Sequence, residues 1–496
     1  MSILQCNLSI LSPEEVEKIH ESSIKILTEI GMRIEHKRML SCLASLGADV
    51  NDNTMVVKFP RKLVEQCMKR QVARANTREG GAEHWADPLT LNTYKRVDAP
   101  MSLNTHMFSV NVSDAETEVI RPATLQDYEQ SVIVANELAN LLEYGPLVIP
   151  GDVPQAVNDA YMWATALKRS EKWVSGELFN MRAIPYIKEM CIVAAGDEKR
   201  FLESEQIVYS CLLEGALTAS HYSLEMAFRV HDLGMSVRFG VPMGIAGFSS
   251  PITLAGALTA TNAEGLGSFV MAEAVGGKCY GALGGAVNYN PANGVTLYAS
   301  PEKNLLCFAL RDIARFYGFK NWKHYGGHAN ASDACCPGIQ AGIEKGFSSM
   351  LSILADAMYI HCGMLSPEAA SIPVMIIDDE ICGYMNRIKA GIDVTDEKIA
   401  FDIIAKAGIH GNYINPDEDA VLEHSVRFIR EEHYIPSISV RERPQAWQRD
   451  RRDMLSLAKE KVKRILAEKD PHPLSDEKEK EIDRILAKCV ADSFIA

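Results

Sequence analysis

The chain has 496 residues, which is several times the usual domain length of roughly 100 to 200 residues, so one large barrel with additions or two to three smaller domains both fit. Its composition, 47% hydrophobic and 23% charged, is typical of a globular protein, and no apolar run is long enough to span a membrane. The 65 acidic residues outnumber the 51 Lys and Arg, giving a net charge of −14 without any basic block, which argues against a nucleic-acid partner.

The N-terminus and the cysteines indicate a reducing compartment. The stretch MSILQCNLSILSPEEVEKIH lacks a basic region followed by an apolar core, so we expect no export signal and a cytoplasmic protein. The twelve cysteines are scattered singly apart from Cys335 and Cys336, and none forms a CxxC pair. This pattern predicts reduced, mostly buried thiols rather than a disulfide framework or a zinc knuckle.

In chain order, residues 1–125 are predicted to form an N-terminal helical section with connecting strands. The segment LSPEEVEKIHESSIKILTEIGMRI has helical spacing behind Ser12, a predicted N-cap that would form a capping box with Glu15. Further helices are predicted at KRMLSCLASLGA and RKLVEQCMKR, with a short strand at MVVKFP between them. The segment HMFSVNV, which contains His106 and Phe108, is predicted to be a strand.

Strand-like and helical segments alternate through the predicted barrel section, residues 126–394. Six β-then-α units begin at LEYGPLVIP, a seventh strand is predicted at MYIHCGM, and VMIIDDE is a candidate for an eighth. This number of units favours a closed (β/α)8 TIM barrel, a fold of the α/β class, over an open parallel sheet. Residues 395–496 are predicted to form a C-terminal section of long, solvated, charged helices.

In such a barrel the functional site lies at the carboxyl ends of the strands, and aromatic residues are frequent there. A quaternary ammonium ion has no N–H to donate, so it is held by aromatic rings through cation–π contacts of roughly 0.5 to 2 kcal/mol each. Core packing explains any single ring equally well. The residues at the predicted strand ends are Tyr144, Phe179, Glu214, Phe248, Tyr289, Trp322, His324, Tyr325, His328 and His361.

The stretch HYGGHANASDACCPG, residues 324–338, raises the alternatives of a zinc site or a cysteine nucleophile. The intervening YGG favours a strand and turn over a helix, and the spacing matches no zinc motif, so we predict no metal. A nucleophile would need a base and an electropositive setting, which the sequence does not reveal. The candidate zinc ligands are His324, His328, Cys335, Cys336, His361 and Cys362.

The chain resembles the trimethylamine methyltransferase superfamily, and specifically its members without pyrrolysine. The matching segments include LSPEEVEKIHESSIKILTEIGMRIE, FPRKLVEQCM, RPATLQDY, SSPITLAGALTATNAE, GGHANASDACCPGIQAGIEK, IIDDEICG and GIHGNYINPDEDAVLEHSVRFIREEHYIPSISVRER. The resemblance implies a (β/α)8 barrel that demethylates a methylamine and passes the methyl group to the cobalt of a separate corrinoid protein. In relatives with pyrrolysine, that residue falls in the segment matching Ser332 to Cys336, where this chain has ordinary residues.

This departure favours a quaternary amine as substrate, because such an amine already carries the charge that lets it leave as a neutral tertiary amine. Members without pyrrolysine resemble demethylases of glycine betaine, which we favour, or of proline betaine, carnitine or butyrobetaine. The expected acceptor is Co(I) of the partner's corrinoid; this chain is expected to bind no cofactor itself and to need no catalytic acid or base. Two rivals stay open: a zinc-dependent methyltransferase acting on a thiol or alcohol, and a non-catalytic betaine-binding protein.

The resemblance also suggests roles for the strand-end residues. Glu214 is the candidate counter-ion for the ammonium, and Asp333 matches an acidic family position that would place substrate or corrinoid. His328 is preferred over Lys323 and Arg311 for the substrate carboxylate, since Arg311 is predicted to be a surface charge. The size and the helical outer layer are compatible with a homo-oligomer. The rings chosen for the ammonium are Phe248, Tyr289, Trp322 and Tyr325.

Overall fold

The computed structural model describes residues 8–77, 101–320, 330–355, 357, 359–416 and 418–493. The three helices and the short strand predicted between residues 12 and 70 are present, and so is the capping box between Ser12 and Glu15. Strand β3 pairs antiparallel with both β1 and β2. The elements are α1 (Pro13–Lys25), a π-helical turn (Ile26–Ile30), β1 (Met32–Ile34), α2 (Lys37–Leu46), β2 (Asp49–Asn51), β3 (Val56–Lys58) and α3 (Arg61–Thr77).

The next segment supplies the first strand of a parallel sheet. The prediction of one strand through His106 and Phe108 was wrong, because two short strands separated by a loop replace it, and both residues lie in that loop. Within this loop Phe108 has a φ of 52°, which is in the left-handed region. The elements are β4 (Ser102–Asn104), β5 (Asn111–Ser113), β6 (Ile120–Pro122), α4 (Leu125–Asn136) and β7 (Leu141–Tyr144).

Strands and helices then alternate as the sequence predicts. The elements are a 3-10 turn (Gln155–Val157), α5 (Asn158–Arg169), β8 (Trp173–Val174), α6 (Ile184–Ala195), α7 (Glu198–Ser204), β9 (Val208–Leu213), β10 (Thr218–Ala219), α8 (His221–Asp232), β11 (Ser236–Ala246), α9 (Leu254–Val275), β12 (Cys279–Gly281), β13 (Gly285–Tyr289), β14 (Thr296–Leu297), α10 (Pro301–Phe316), α11 (Ile339–Leu354), β15 (Tyr359–His361), β16 (Met364–Ser366), β17 (Ala369–Ala370) and α12 (Ile372–Lys389).

Two parallel sheets make up the centre of the fold. One has the strand order β15-β4-β7-β8, and in the other β11 lies between β9 on one side and β12 and β13 on the other. The last parallel strand, β15, therefore pairs with the first, β4, as it would in a barrel. Among the described residues the two sheets are not joined into one closed ring, so the structure shows a parallel α/β fold.

The helices cover the outer faces of these sheets. Helix α9 is apolar on all sides and is buried between β11 and β12 and helices α1, α2 and α3 of the N-terminal section. The assignment of VMIIDDE as an eighth strand was wrong, because the segment lies inside α12. A short apolar run fits a buried strand and a buried helix equally well, and here it follows Pro373 in the first turn of a helix that begins at Ile372.

The C-terminal section is helical as predicted but is not simply solvated. Helices α17 and α18 pack on α4, α5, α6 and α12, burying Val462, Ile465, Ile482 and Ile485. No helix in the described residues has the length and apolar character needed to cross a bilayer. The elements are α13 (Asp396–Ile399), α14 (Phe401–Ala407), α15 (Asp419–Glu432), α16 (Pro444–Asp450), α17 (Met454–Glu468) and α18 (Asp476–Ser493).

Candidate functional site

Three neighbouring strands of the β15-β4-β7-β8 sheet bring polar side chains together at their carboxyl ends. His106 Nε2 lies 2.7 Å from Glu143 Oε1 and 2.7 Å from Ser175 Oγ, and the Ser175 hydroxyl donates to the same Glu143 oxygen. The imidazole packs directly on Gly145, where a Cβ atom would overlap the ring. The glycine after β7 is therefore required for His106 to reach Glu143.

The two glutamates of this region differ in their electrostatics. Burial acts to raise the pKa of Glu143, but hydrogen bonds and the charge of His106 outweigh it and hold that pKa below its ordinary value. Burial raises the pKa of Glu177, and the Ser210 backbone N–H, which donates to Glu177 Oε2 over 3.1 Å, offsets only part of the effect. Glu143 is thus an ionised carboxylate, whereas Glu177 takes up a proton at a higher pH than an ordinary glutamate.

A second layer lies deeper between the strands. Tyr359 pairs in register with Ser102 of β4, whereas Glu143 pairs with Asn104, two residues or roughly 7 Å further along that strand. Burial raises the pKa of the Tyr359 hydroxyl to about 12, so it is a neutral hydrogen-bonding group. Arg238 of β11 places its positive charge within range of Tyr359 and of both glutamates.

Aromatic rings line the same region. The Phe108 ring meets the rings of His106 and Phe179 edge-on, with centroids 5.9 and 5.7 Å apart. Deeper, the Tyr359 ring is 5.9 Å from that of His361 and nearly perpendicular to it. Carboxylates beside aromatic rings form a setting that attracts a cation without offering it hydrogen-bond acceptors at every side.

Three of the site residues predicted from the sequence lie at or just after the carboxyl end of a strand in the part of the chain that the structure describes. Phe248 is in the turn after β11 with 80% of its surface exposed, and Tyr289 ends β13. A Cβ at Gly247 would lie 2.6 Å from Tyr289 Cε1, so the Tyr289 ring packs against the backbone beside Phe248. Glu214, at the end of β9, accepts a hydrogen bond from Ser223 Oγ over 2.8 Å. Their roles toward a substrate stay predictions, and Trp322, Tyr325 and His328 lie outside the described residues.

Asp333 is occupied by the backbone. Its two carboxylate oxygens accept from the N–H groups of Tyr298 and Ala299 over 2.8 and 2.9 Å, just before α10 begins, and burial raises its pKa. A role toward substrate or corrinoid stays a prediction. The expectation that Arg311 is a surface charge was wrong: it is 5% exposed, and its guanidinium lies 3.4 Å from the carbonyls of Leu8 and Leu354.

The candidate zinc ligands do not assemble among the described residues. Cys335 and Cys336 are exposed, Cys362 is buried, and no group of three or more His, Cys, Asp or Glu in the described chain could hold a metal ion. His324 and His328 lie outside those residues. Eight of the eleven described cysteines are buried, which agrees with the predicted pattern.

Sequence reasoning missed the central members of this site: His106, Glu143, Ser175, Glu177, Arg238 and Tyr359. A signal for one of them existed. Arg238 interrupts an apolar run in MSVRFGV, and a strand flanked by parallel strands on both sides normally reads as a continuous apolar run. A charge in that position marks either a buried ion pair or a binding site.

Comparison with known proteins agrees with the resemblance of the sequence. The family profile described as trimethylamine methyltransferase (MTTB) matches residues 3–492. A glycine betaine methyltransferase of Desulfitobacterium hafniense is 26% identical over 490 residues, covering 97% of each chain. Trimethylamine methyltransferases of Desulfitobacterium hafniense and Methanosarcina barkeri are each 26% identical, and each alignment covers 82% of this chain and 80% and 81% of the relative, respectively.

Proposed function

Because this chain belongs to the trimethylamine methyltransferase family, we propose that it moves a methyl group from the quaternary nitrogen of a betaine to the Co(I) of a corrinoid carried by a separate protein. Glycine betaine is the favoured donor, since a relative bearing that activity aligns along almost the whole chain. The observation that carries the proposal is the group of His106, Glu143 and Glu177 beside aromatic rings at the strand ends.

This group suits a quaternary ammonium. The ion cannot donate a hydrogen bond, so its binding depends on charge and on contact with π faces. Glu143 supplies a fixed negative charge, Glu177 a second that is present when the carboxyl is ionised, and Phe108 and Phe179 supply rings at the same end of the strands.

The transfer needs no proton. The electron pair of the breaking C–N bond stays on nitrogen, and the amine leaves as a neutral tertiary amine such as dimethylglycine. The electron pair of Co(I) forms the new bond to the methyl carbon. Trimethylamine would instead have to leave as an amide anion. The protein is therefore needed to align the donor and to exclude water, and His106 acts through charge and shape rather than as an acid.

The acceptor must approach the open end of the strands. Phe248 and Ile252, in the segment after β11, are 80% and 65% exposed and give this rim an apolar surface for a docked corrinoid protein. We further propose that the two parallel sheets belong to one closed (β/α)8 barrel, which would enclose the donor from all other sides. A cytoplasmic location follows from the need for reduced cobalt.

The proposal is tested by following the absorbance of a Co(I) corrinoid under anaerobic conditions. Glycine betaine, proline betaine, carnitine, butyrobetaine and trimethylamine are each offered as donor, with free cob(I)alamin and with a corrinoid protein as acceptors. We expect Co(I) to be consumed with a betaine and not with trimethylamine. If Co(I) were consumed with none of the donors, the proposal would be refuted. Stoichiometric zinc in the inactive protein would then identify a zinc-dependent methyltransferase, and tight betaine binding without demethylation would identify a betaine-binding protein.

Binding of the betaine is expected to weaken on acidification, through Glu177. Burial raises the pKa of this carboxyl, so the protonated, neutral form gains population as the pH falls toward that pKa, and a bound cation favours the ionised form. Affinity should therefore rise with pH and level off above the raised pKa, changing by up to about tenfold per pH unit below it. Calorimetry from about pH 5 to about pH 8 measures the slope and the protons released.

The variant Glu177→Gln should bind more weakly at neutral pH and lose this slope. Choline, which carries the ammonium without a carboxylate, should show the same pH dependence as glycine betaine in the unchanged protein. An identical slope in Glu177→Gln would mean that another group controls the affinity.

A further inference from the structure

Arg238 lies in the interior of the parallel sheet. It is the third residue of β11 and pairs in register with Ser210 of β9 and Tyr280 of β12, so strands flank it on both sides. Its neighbours Val237 and Phe239 are fully buried. Because side chains alternate along a strand, Arg238 projects to the opposite face from them, where its charge acts on Glu143, Glu177 and Tyr359.

Among the described residues, the guanidinium of Arg238 has no close partner: no carboxylate oxygen lies within 4.0 Å of it and it donates no hydrogen bond. Comparable half-buried arginines are paired: Arg121 with Asp127 at 2.7 Å and Arg169 with Glu129 at 2.6 Å. A guanidinium carries five donors and remains charged, so leaving it partly buried and unpaired costs free energy that a ligand anion would recover.

Charges of both signs act in the same region. The positive charge of Arg238 acts on the carboxylates of Glu143 and Glu177. A substrate carboxylate is attracted by the guanidinium and repelled by Glu143, whereas a trimethylammonium group has the opposite preference.

We propose that Arg238 binds the carboxylate of the betaine, so that the substrate lies with its carboxylate at this guanidinium and its trimethylammonium group toward Glu143. This inference rests on the proposed function and adds to it the orientation of the donor and the basis of its selection. Arg238 is then a specificity-determining residue, since it separates betaines from quaternary amines that lack a carboxylate. The guanidinium is suited to this role because it can donate two parallel hydrogen bonds to one carboxylate.

The first test uses the unchanged protein and three ligands measured by calorimetry: glycine betaine, its methyl ester and choline. The ester differs from the acid mainly in the lost negative charge. We expect glycine betaine to bind at least about 30-fold more tightly than either of the others, as for a buried charge pair compared with its truncated form. Equal affinity for the acid and the ester would overturn the inference without depending on any variant.

The second test compares Arg238→Gln and Arg238→Lys with the control Arg70→Gln, which changes a residue whose side chain is 62% exposed. Arg238→Gln should lose the preference for glycine betaine over choline, Arg238→Lys should retain part of it, and Arg70→Gln should leave it unchanged. If Arg238 had a purely structural role, Arg238→Gln would lower the affinity for glycine betaine and for choline by the same factor, and that result would refute carboxylate binding. If the unchanged protein binds no quaternary amine, it is the proposed function that is refuted.

Discussion

Replacing Glu143 with glutamine is expected to lower kcat/KM for the betaine by about 100-fold, equivalent to roughly 3 kcal/mol of lost transition-state stabilisation. Glutamine has nearly the same shape and can still accept the Ser175 hydroxyl, so the change is chiefly one of charge. That charge is present over the useful pH range because His106 and Ser175 hold the pKa of Glu143 low against its burial. Anaerobic initial rates with Co(I) corrinoid protein measure the effect.

A matched control exists in the same chain. Glu225 of α8 also pairs with a histidine, His36 of the N-terminal section, at 3.1 Å, and its other carboxylate oxygen pairs with Arg229 of the same helix. Glu225→Gln therefore removes the same type of contact and should leave kcat/KM unchanged. Unaltered activity in a correctly folded Glu143→Gln variant would show that Glu143 does not act on the substrate, whereas a loss in both variants would indicate damage to folding.

The extent to which the fold could be predicted depended on the length of each periodic segment. Helix α10 has 16 residues with amphipathic spacing, and α9 has 22 mostly apolar residues, a length that a strand does not reach, so both can be recognised as helices from the sequence. VMIIDDE is too short to distinguish strand from helix, and its acidic residues face three different neighbours: Asp378 contacts Lys345, Asp379 accepts from Asn140, and Glu380 accepts from Ser437. These are structural contacts, and the partner residues are remote in sequence.

The site was harder to predict than the fold, because adjacent residues of a strand point to opposite faces of the sheet. The conspicuous strand-end residue of β7 is Tyr144, yet its hydroxyl lies 2.7 Å from Ser131 Oγ of α4 and its side chain is fully buried there. The preceding Glu143 points to the other face and joins the site. His106 is 37 residues from Glu143 in sequence, and no period marks the pair. Only the strand register, which the sequence does not encode locally, brings them together.

A buried ion pair between α11 and α12 holds the backbone at Asn330 in place. Lys345 of α11 and Asp378 of α12 are 2% and 0% exposed, and Lys345 Nζ lies 3.1 Å from each carboxylate oxygen. The same ammonium donates to the Asn330 carbonyl over 3.0 Å, and Asp378 accepts the Gly363 N–H over 2.7 Å. This one ion pair thus connects α11 and α12 with the backbone at Asn330 and with the turn after β15.

Replacing Lys345 with methionine is therefore expected to lower the free energy of unfolding by about 3 to 5 kcal/mol, because the Asp378 carboxylate is left buried without its partner. Burial already raises the pKa of Asp378, and losing the ammonium would raise it further, so the variant should lose less stability at low pH, where the carboxyl is neutral. Urea denaturation measures the free energy of unfolding. The control is Lys199→Met, since Lys199 and Glu203 form an exposed pair and this substitution should change the free energy of unfolding by no more than about 0.5 kcal/mol.

The double variant Lys345→Met/Asp378→Asn should recover part of the loss, because it removes the unpaired charge while keeping an acceptor for Gly363. If Lys345→Met and Lys199→Met proved equally mild, Asp378 would have to be neutral in the native protein, and the contact would be a hydrogen bond rather than an ion pair.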